Sequence, residues 1–460
     1  MTKLYAHQVE GIDAFLSNCG GFMISCEQGT GKTPMAIRAA DRMNIEKVLV
    51  VCPNTLKRNW DDEWGVWGEF DWKRLVVRGT KLQKKITVTQ AGLVSGKVVL
   101  IINYDILKSM LGELKQFEPD LIIADESHLG KNHKAQRTKA LKAIPCKYKL
   151  AMTGTPTPNN PLDIWSQFDW IRPGHLSGNF YAFRNHFANM YSGAGFTKIV
   201  SYKNLDRLAQ LVGKYTYRKT KDECLDLPEK VYQTIPIELD DKTKAAYVSM
   251  ARDMIADVEE AGEMSASTAL VKLLRLQQIT SGFIKVDDTG VLKDIGGEKL
   301  RALEDLIENL HGEKLVIWCR FNNDVKRIGE LLDRLKIAWK PLTGAVPEAE
   351  RQNSINAFQS TEYPLVIVSN VAVGGVGITL TAARYAIYYS RTFSYGEAKQ
   401  SEDRIHRIGQ DRKVTYYDLA CSGTIDYYIL KILQQKADLS SVITGDTIRE
   451  VVYGDLSLSK

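Results

Sequence analysis

Five consecutive residues near the start of the chain, Gly29-Thr30-Gly31-Lys32-Thr33, place two glycines, a lysine and a hydroxyl in an order that suits a phosphate chain. Glycines between a strand and a helix let backbone N–H groups approach phosphate oxygens, and the helix N-terminus adds a favourable field. Lys32 can then neutralise β and γ phosphates, while the Thr33 hydroxyl ligates Mg²⁺. The full pattern wants glycine six residues before the lysine, where this chain has Cys26. Read alone, the pentapeptide has a blander meaning as a glycine-rich turn capping a helix.

Two further groups weigh against that blander meaning. Asp125-Glu126-Ser127-His128 follows directly on the apolar run Leu121 to Ala124, and ligand sites of open α/β sheets gather at the carboxyl ends of strands. An aspartate there can hold Mg²⁺, and the adjacent glutamate can orient and deprotonate an attacking water. The alternative is a helix N-cap, which Lys32 and Thr33 make the weaker account. Near the other end, Gln400 to Gln410 carries Arg404 and Arg407 three residues apart. On a helical turn they would share one face, and a planar, permanently charged fork braces a transferring phosphoryl group. With Glu402 and Asp403 alongside, the competing reading is a salt-bridged surface helix.

These groups need rigid elements beneath them. Lys47–Cys52, Val98–Ile102 and Leu121–Ala124 are apolar runs of strand length, each followed by turn residues and a helix-like stretch. That is the pattern of a parallel sheet buried on both faces. It returns with Leu315–Cys319, Leu365–Ser369, Tyr385–Tyr389 and Val414–Tyr417. The expected fold is α/β, with two parallel-sheet lobes joined by a mainly helical insertion. The boundaries read as a first lobe over 1–160, the insertion over 161–295, a second lobe over 296–425, and a tail over 426–460 packing on the motor. The 34 glycines and 13 prolines form no low-complexity tract, and 44% hydrophobic with 25% charged residues is ordinary for a globular chain. Seven scattered cysteines without a C-x-x-C pair argue for reduced thiols rather than zinc or disulfides. A net charge of +6 fits nucleic acid without requiring it.

Together the phosphate loop, the Asp-Glu-Ser-His tetrapeptide and the arginine-rich segment resemble superfamily-two ATPases of the Swi/Snf type. The resemblance covers most of the chain. Leu4 to Gly11 is similar to the family's opening element, which assigns Gln8 to adenine. Thr153-Gly154-Thr155-Pro156, with Asn159, resembles the segment coupling hydrolysis to lobe movement, and His128 joins that group. Leu162–Trp165, Arg172-Pro173-Gly174, Tyr217–Lys221 and Asp226–Lys230 resemble stretches peculiar to this family. In the second half, Val316–Phe321, Leu342-Thr343-Gly344 with Glu350-Arg351, and Gly374–Ala383 resemble its later motifs. Gln400 to Gln410 fits Q-x-x-D-R-x-H-R-I-G-Q.

The resemblance implies two RecA-like lobes, ATP and Mg²⁺ as cofactors, and duplex DNA as the track. Lys32, Asp125, Glu126, Arg404 and Arg407 become the catalytic set. Gln28, Gly29, Thr30, Gly31, Gly377 and Gln400 join Gln8, Lys32 and Thr33 around the nucleotide, and Thr33 and Asp125 hold the metal. Backbone contacts to DNA are assigned to Thr55, Lys57, Arg58, Asn103, Tyr104, Arg320, Phe321, Thr343 and Gly344. Such contacts carry little sequence information and move readily. Trp60, Trp64 and Trp67 recur at helical spacing, so core packing is favoured over base stacking. Lys134, Arg137, Lys139 and Lys142 read most simply as a solvated helix face.

The function expected is an ATP-driven translocase on double-stranded DNA that remodels forks and junctions, with branch migration as its specific form. A strand-separating DNA or RNA helicase, a chromatin-type remodeller and a non-hydrolysing ATP-binding scaffold are the alternatives. The motor fills the chain except for about forty residues, which favours naked or branched DNA over chromatin. Recombination or replication proteins are the expected partners of a monomeric motor. With no apolar signal core and no run of roughly 20 apolar residues, the expected setting is the cytoplasm of a bacterium or a phage-infected host, or a nucleus.

Overall fold

The computed structural model describes residues 3–18, 20–154, 156–157, 160–193, 196–261, 266–285, 291–371 and 378–435, without the side chains of 192–198 and 254–269. The chain divides into two compact units, Met1–Asp226 and Leu227–Lys460.

The first unit is built on seven parallel strands: β1 (Gly21–Ile24), β2 (Lys47–Cys52), β3 (Lys73–Val76), β4 (Val98–Asn103), β5 (Leu121–Asp125), β6 (Tyr148–Met152) and a short edge strand at Thr216–Tyr217. Between β6 and that edge strand runs an antiparallel hairpin, β7 (Ala188–Gly193) with β8 (Phe196–Tyr202), so the edge strand is β9. The order across the sheet is β3-β4-β2-β5-β6-β1-β9. Val48 to Cys52 and Val98 to Ile102 are fully buried, as continuous apolar strands must be when helices cover both faces. At the start of β1, a side chain on Gly21 would stand 1.8 Å from the carbonyl oxygen of Ile171. Only glycine lets the helix Ile164–Ile171 approach this closely.

The second unit carries six parallel strands in the order β10-β17-β16-β13-β15-β14. They are β10 (Lys230–Ile237), β13 (Leu315–Cys319), β14 (Trp339–Leu342), β15 (Val366–Asn370), β16 (Tyr385–Tyr388) and β17 (Val414–Cys421), and β11 (Phe283–Lys285) pairs with β12 (Leu292–Asp294) outside that sheet. Alternation along β13 feeds two cores. Leu315, Ile317 and Cys319 pack with Val366, Val368 and Ile387 on one face, and Val316 and Trp318 pack with Ile367, Ala386 and Tyr388 on the other.

The stretch 161–295, expected as one helical insertion, is shared between the units. Its first part ends in β9, which joins the first sheet, and its later part supplies β10, which pairs with β17 along eight residues. Pro236 is accommodated because β10 is an edge strand. Helical segments do follow: Tyr247 and Ala251 pack with Leu273, Leu276 and Ile279 against Ile425, Ile429 and Ile432 of the helix Ile425–Gln434. The expected tail therefore begins as a packed helix, and residues 436–460 lie outside the described part. Among the described residues, no helix is long and apolar enough to cross a membrane.

Candidate active site

The phosphate loop leaves β1 at Ile24 and enters the helix Lys32–Arg42. Gly29 and Gly31 both have φ of +82°, the left-handed region in which a side chain would be strained, so the turn requires glycine there. The loop is braced from inside. The Thr30 hydroxyl donates to the Glu27 carbonyl at 2.8 Å, and the Thr30 carbonyl lies 2.9 Å from His7 Nε2 and 3.3 Å from Gln8 Nε2. The ammonium of Lys32 donates to the carbonyls of Cys26 and Glu27 at 2.9 and 3.0 Å. It therefore points back across the loop's concave side, where a phosphate would replace those carbonyls as its partner.

A second brace comes from far along the chain. The backbone N–H groups of Ser25 and Glu27 donate to Tyr217 O and Lys219 O at 2.8 and 3.0 Å, and Lys221 N donates to the Glu27 carboxylate at 2.9 Å. The family-like stretch 217–221 thus begins at the end of β9 and runs on beside the phosphate loop.

The carboxylates stand at the end of β5. Asp125 Oδ2 accepts from the indole N–H of Trp60 at 2.9 Å, and Oδ1 accepts from the Glu126 N–H at 2.9 Å. Burial, and then the charge of Glu126, push Asp125 up to about 6. Glu126 has φ and ψ of +49°, costly for a residue with a β-carbon. The turn brings its carboxylate to Gln28 Nε2 at 3.4 Å and to His128 Nδ1 at 3.3 Å. His128 Nδ1 also lies 3.1 Å from Thr153 Oγ1. Burial, helped by Lys131, pushes His128 down to about 4, so at neutral pH it is an uncharged relay between Glu126 and Thr153. A side chain on Gly154 would meet Cγ of Gln28 at 2.8 Å.

The first unit therefore brings together Gln8, Gln28, Lys32, Glu126, His128, Thr153 and Gly154, all nominated from sequence. The lysine, the helix-borne hydroxyl of Thr33 and the buried carboxylate of Asp125 form a donor set that fits a nucleotide phosphate chain with Mg²⁺. Thr155, Asn159 and Gly377 lie outside the described residues.

In the second unit the helix Tyr395–Glu402 stops before the arginines, so Arg404 and Arg407 lie on the turns after it and do not share a helical face. Arg404 is buried, and Arg407 is half-buried with a contact to Ile378 O at 3.4 Å. Gln400 is half-buried on the last turn of the helix. Beneath them sits a matched charge cluster. Glu402 accepts from Lys230 Nζ at 3.0 Å and Tyr232 Oη at 2.8 Å, Arg391 is pinned by Asp418, and His406 Nε2 lies 2.7 Å from Pro228 O.

The residues assigned to DNA divide. Thr55, Arg58 and Gly344 are exposed. Lys57 is turned inward to donate to Val77 O at 2.8 Å, and Tyr104 is buried with its hydroxyl on Asp125 O at 2.8 Å. Both brace the first sheet in this structure, because their polar ends are already satisfied in the interior. Asn103 and Thr343 are also buried. Arg320 lies over the Phe393 ring at 4.0 Å, and Phe321 packs edge-on to Phe283.

Two partners of the carboxylate site escape a reading of motifs. Trp60 reads as core and is fully buried, but its N–H is the hydrogen bond that aims Asp125. The one available signal was chemical: a buried tryptophan needs somewhere to send its N–H. The second is Tyr104, whose position after a strand suggested a different role.

Comparison with known families matches residues 7–282 to the SNF2-related domain and residues 298–409 to the helicase conserved C-terminal domain. The "Uncharacterized ATP-dependent helicase MG018" of Mycoplasma genitalium is 26% identical over 95% of this chain and 42% of its own length. The mouse "DNA annealing helicase and endonuclease ZRANB3" is 28% identical over 97% and 41%. Yeast "TATA-binding protein-associated factor MOT1" is 25% identical over 96% and 27%. The chain thus spans less than half the length of these relatives. The solved structure "Sulfolobus solfataricus SWI2/SNF2 ATPase core in complex with dsDNA" is 24% identical, covers 98% of this chain and 97% of its own, and has a TM-score of 0.45.

Proposed function

The chain belongs to the SNF2-related family of ATP-dependent helicases, and from that premise we propose that it is an ATP-driven translocase on double-stranded DNA that remodels forks and junctions. The observation that carries the reading is the continuous contact path through the first unit. Gln28 on the phosphate loop reaches Glu126, and His128 links Glu126 to Thr153 on the segment that follows β6. A change at the terminal phosphate is therefore felt within two side chains at a residue outside the nucleotide loop.

In this reading Lys32 leaves the carbonyls of Cys26 and Glu27 for the β and γ phosphates, and Glu126 orients and deprotonates the attacking water. Bound Mg²⁺ would neutralise developing charge and be held through Thr33 and Asp125. Gln8, which accepts from Tyr5 N and donates to Thr30 O, reads the base in this proposal. Arg404 and Arg407 brace the transferred phosphoryl group during turnover, so hydrolysis follows closure of the two units. Thr55, Arg58 and Gly344 are the first choices for phosphate contacts along the duplex. Branch migration is the specific activity, supported by the name of a relative that anneals DNA. The setting is the cytoplasm of a bacterial or phage-infected cell.

ATP hydrolysis measured with no nucleic acid, single strand, duplex, fork, four-way junction and RNA, alongside displacement of a bound third strand, tests the proposal. Duplex and branched DNA should stimulate hydrolysis. Stimulation by RNA alone would overturn it, and junction stimulation without branch movement would remove the specific form.

A further inference from the structure

Charge is unevenly spread along this chain. From Pro173 to Lys214 lie five Lys and Arg against Asp206 alone, a net of +4, while the whole chain carries +6. Two thirds of the excess therefore sits on one excursion of the first unit: the helix Phe180–Phe187, the hairpin β7–β8 and the helix Leu205–Gly213 with its C-cap Lys214. Among the described residues no carboxylate is ion-paired with Arg184, Lys203, Arg207 or Lys214. Surface cations clustered without counter-charges repel one another, and an anionic partner relieves that cost.

The excursion is also concave. A cleft of about 590 Å³ runs between its two helices and is lined by His175, His186 and Arg207. A second cleft of about 510 Å³ shares His175 and is lined further by Lys147, Lys149 and Arg172. No aspartate or glutamate lines either one. Gly21 and Lys149 place the second cleft at the amino-terminal ends of β1 and β6. The nucleotide site lies at the opposite, carboxyl ends of the same strands, roughly 15 Å away across four or five residues. Beside the first cleft, Tyr181 is exposed, with Lys134 and Arg184 over its ring at 5.9 and 5.3 Å.

We propose that the two clefts, joined at His175, form a groove that binds a second segment of DNA through its phosphodiester backbone, at the end of the first unit opposite the nucleotide. The inference rests on the motor reading and deepens it, because a protein that acts on forks must hold an arm other than the duplex it follows. A run of cations free of lining acids suits a phosphate backbone, and an exposed ring between cations suits a base from an unpaired stretch. Free phosphate shares this chemistry, so the test separates the two.

The double variant Lys147→Glu with Arg207→Glu, at two exposed positions outside the catalytic set, is the main probe. Hydrolysis without DNA should be unchanged and affinity for linear duplex should stay within about twofold. Affinity for a fork should fall roughly tenfold or more at low salt, and the slope of log K against log salt should drop by about two. Equal fork affinity and slope would overturn the proposal. In the unaltered protein, forked DNA should protect Lys147 and Lys214 from acylation, a readout independent of how the variant folds. Protection by inorganic polyphosphate but not by forks would make the groove a small-anion site and sink the proposal. Normal duplex-stimulated hydrolysis with unchanged fork binding sinks the groove alone, whereas absence of any duplex stimulation in the unaltered protein sinks the motor reading itself.

Discussion

The two units share a parallel sheet wrapped by helices, but they treat buried charge in opposite ways. At the end of β5, Asp125 is buried beside Glu126 and is held by two neutral N–H donors, and its pKa rises to about 6. The nearby Lys32 is spent on carbonyl oxygens. In the second unit, Arg391 is buried but stacked on Tyr388 at 3.3 Å and paired with Asp418, and Glu402 is held below the usual carboxylate range by Lys230 and Arg391 despite its burial. The first leaves Asp125 under-matched, whereas the cluster around Arg391 and Glu402 pairs its buried charges. A ligand that brings phosphate and a divalent cation completes the first, while the second is already a finished scaffold beneath the arginine turns.

The contrast is broken or upheld most directly at Glu126. Glu126→Gln should cut kcat by about 10²–10⁴-fold, as loss of a general base does, with nucleotide binding and thermal stability nearly intact. Retained turnover in a steady-state ATPase assay would remove Glu126 from the water-activating role. The same isosteric change at Asp418 should do the reverse. Asp418→Asn strips the paired charge from buried Arg391 and should cost about 3–5 kcal/mol of the second unit's stability. A urea melt should show that unit unfolding earlier while the first keeps its transition. Equal stability of Asp418→Asn and the parent would mean that the cluster is not a scaffold.

How far the sequence carried this contrast depends on sequence distance. The phosphate loop, the tetrapeptide after β5 and the arginine segment are each contiguous, so their chemistry is written within a dozen residues. Strands β2, β4, β5 and β13 were equally legible, because a strand buried on both faces is an unbroken apolar run. What stayed hidden is pairing across long separations. Tyr217 O meets Ser25 N, Lys230 meets Glu402, and Trp60 meets Asp125, and neither partner carries a local mark of the other. For the same reason β9, two residues long, and β10, with Pro236 inside it, left the stretch 161–295 looking like a separate helical insertion. The lone arginine spacing misled in a smaller way: three residues apart suggests one helical face, but the helix ends at Glu402.

A subtler test uses Asp324, a carboxyl of the second unit that resembles the first unit's pattern. Asp324 is fully buried, accepts from Ser390 at 2.7 Å, and is pushed by burial up to about 7. A carboxyl whose pKa is raised on folding binds its proton more tightly in the folded state. Its contribution is therefore most favourable below about pH 4 and is lost as pH rises through about 7. Asp324→Asn removes that loss. The variant should match the parent near pH 4 and exceed it by roughly 4 kcal/mol at pH 8, read from melts across that range. A constant offset at all pH values would place the charge of Asp324 among the matched ones.

The finest distinction concerns two tryptophans in the same helix. Trp60 and Trp64 are both buried, with ring centroids 6.3 Å apart. Only Trp60 sends its N–H to Asp125, and the N–H of Trp64 meets no partner among the described residues. Phenylalanine keeps most of the apolar packing at either site and deletes the donor. If Trp60 acts by aiming a metal-binding carboxylate, Trp60→Phe should raise the half-saturating Mg²⁺ concentration for ATP hydrolysis about tenfold, the scale of losing a hydrogen bond behind a metal ligand. The rate at saturating Mg²⁺ should recover. Trp64→Phe removes similar ring area but no aimed donor, so its Mg²⁺ curve should overlay the parent's. Coincident curves for the two variants would reduce Trp60 to core packing, and would leave Asp125 oriented by its own backbone turn.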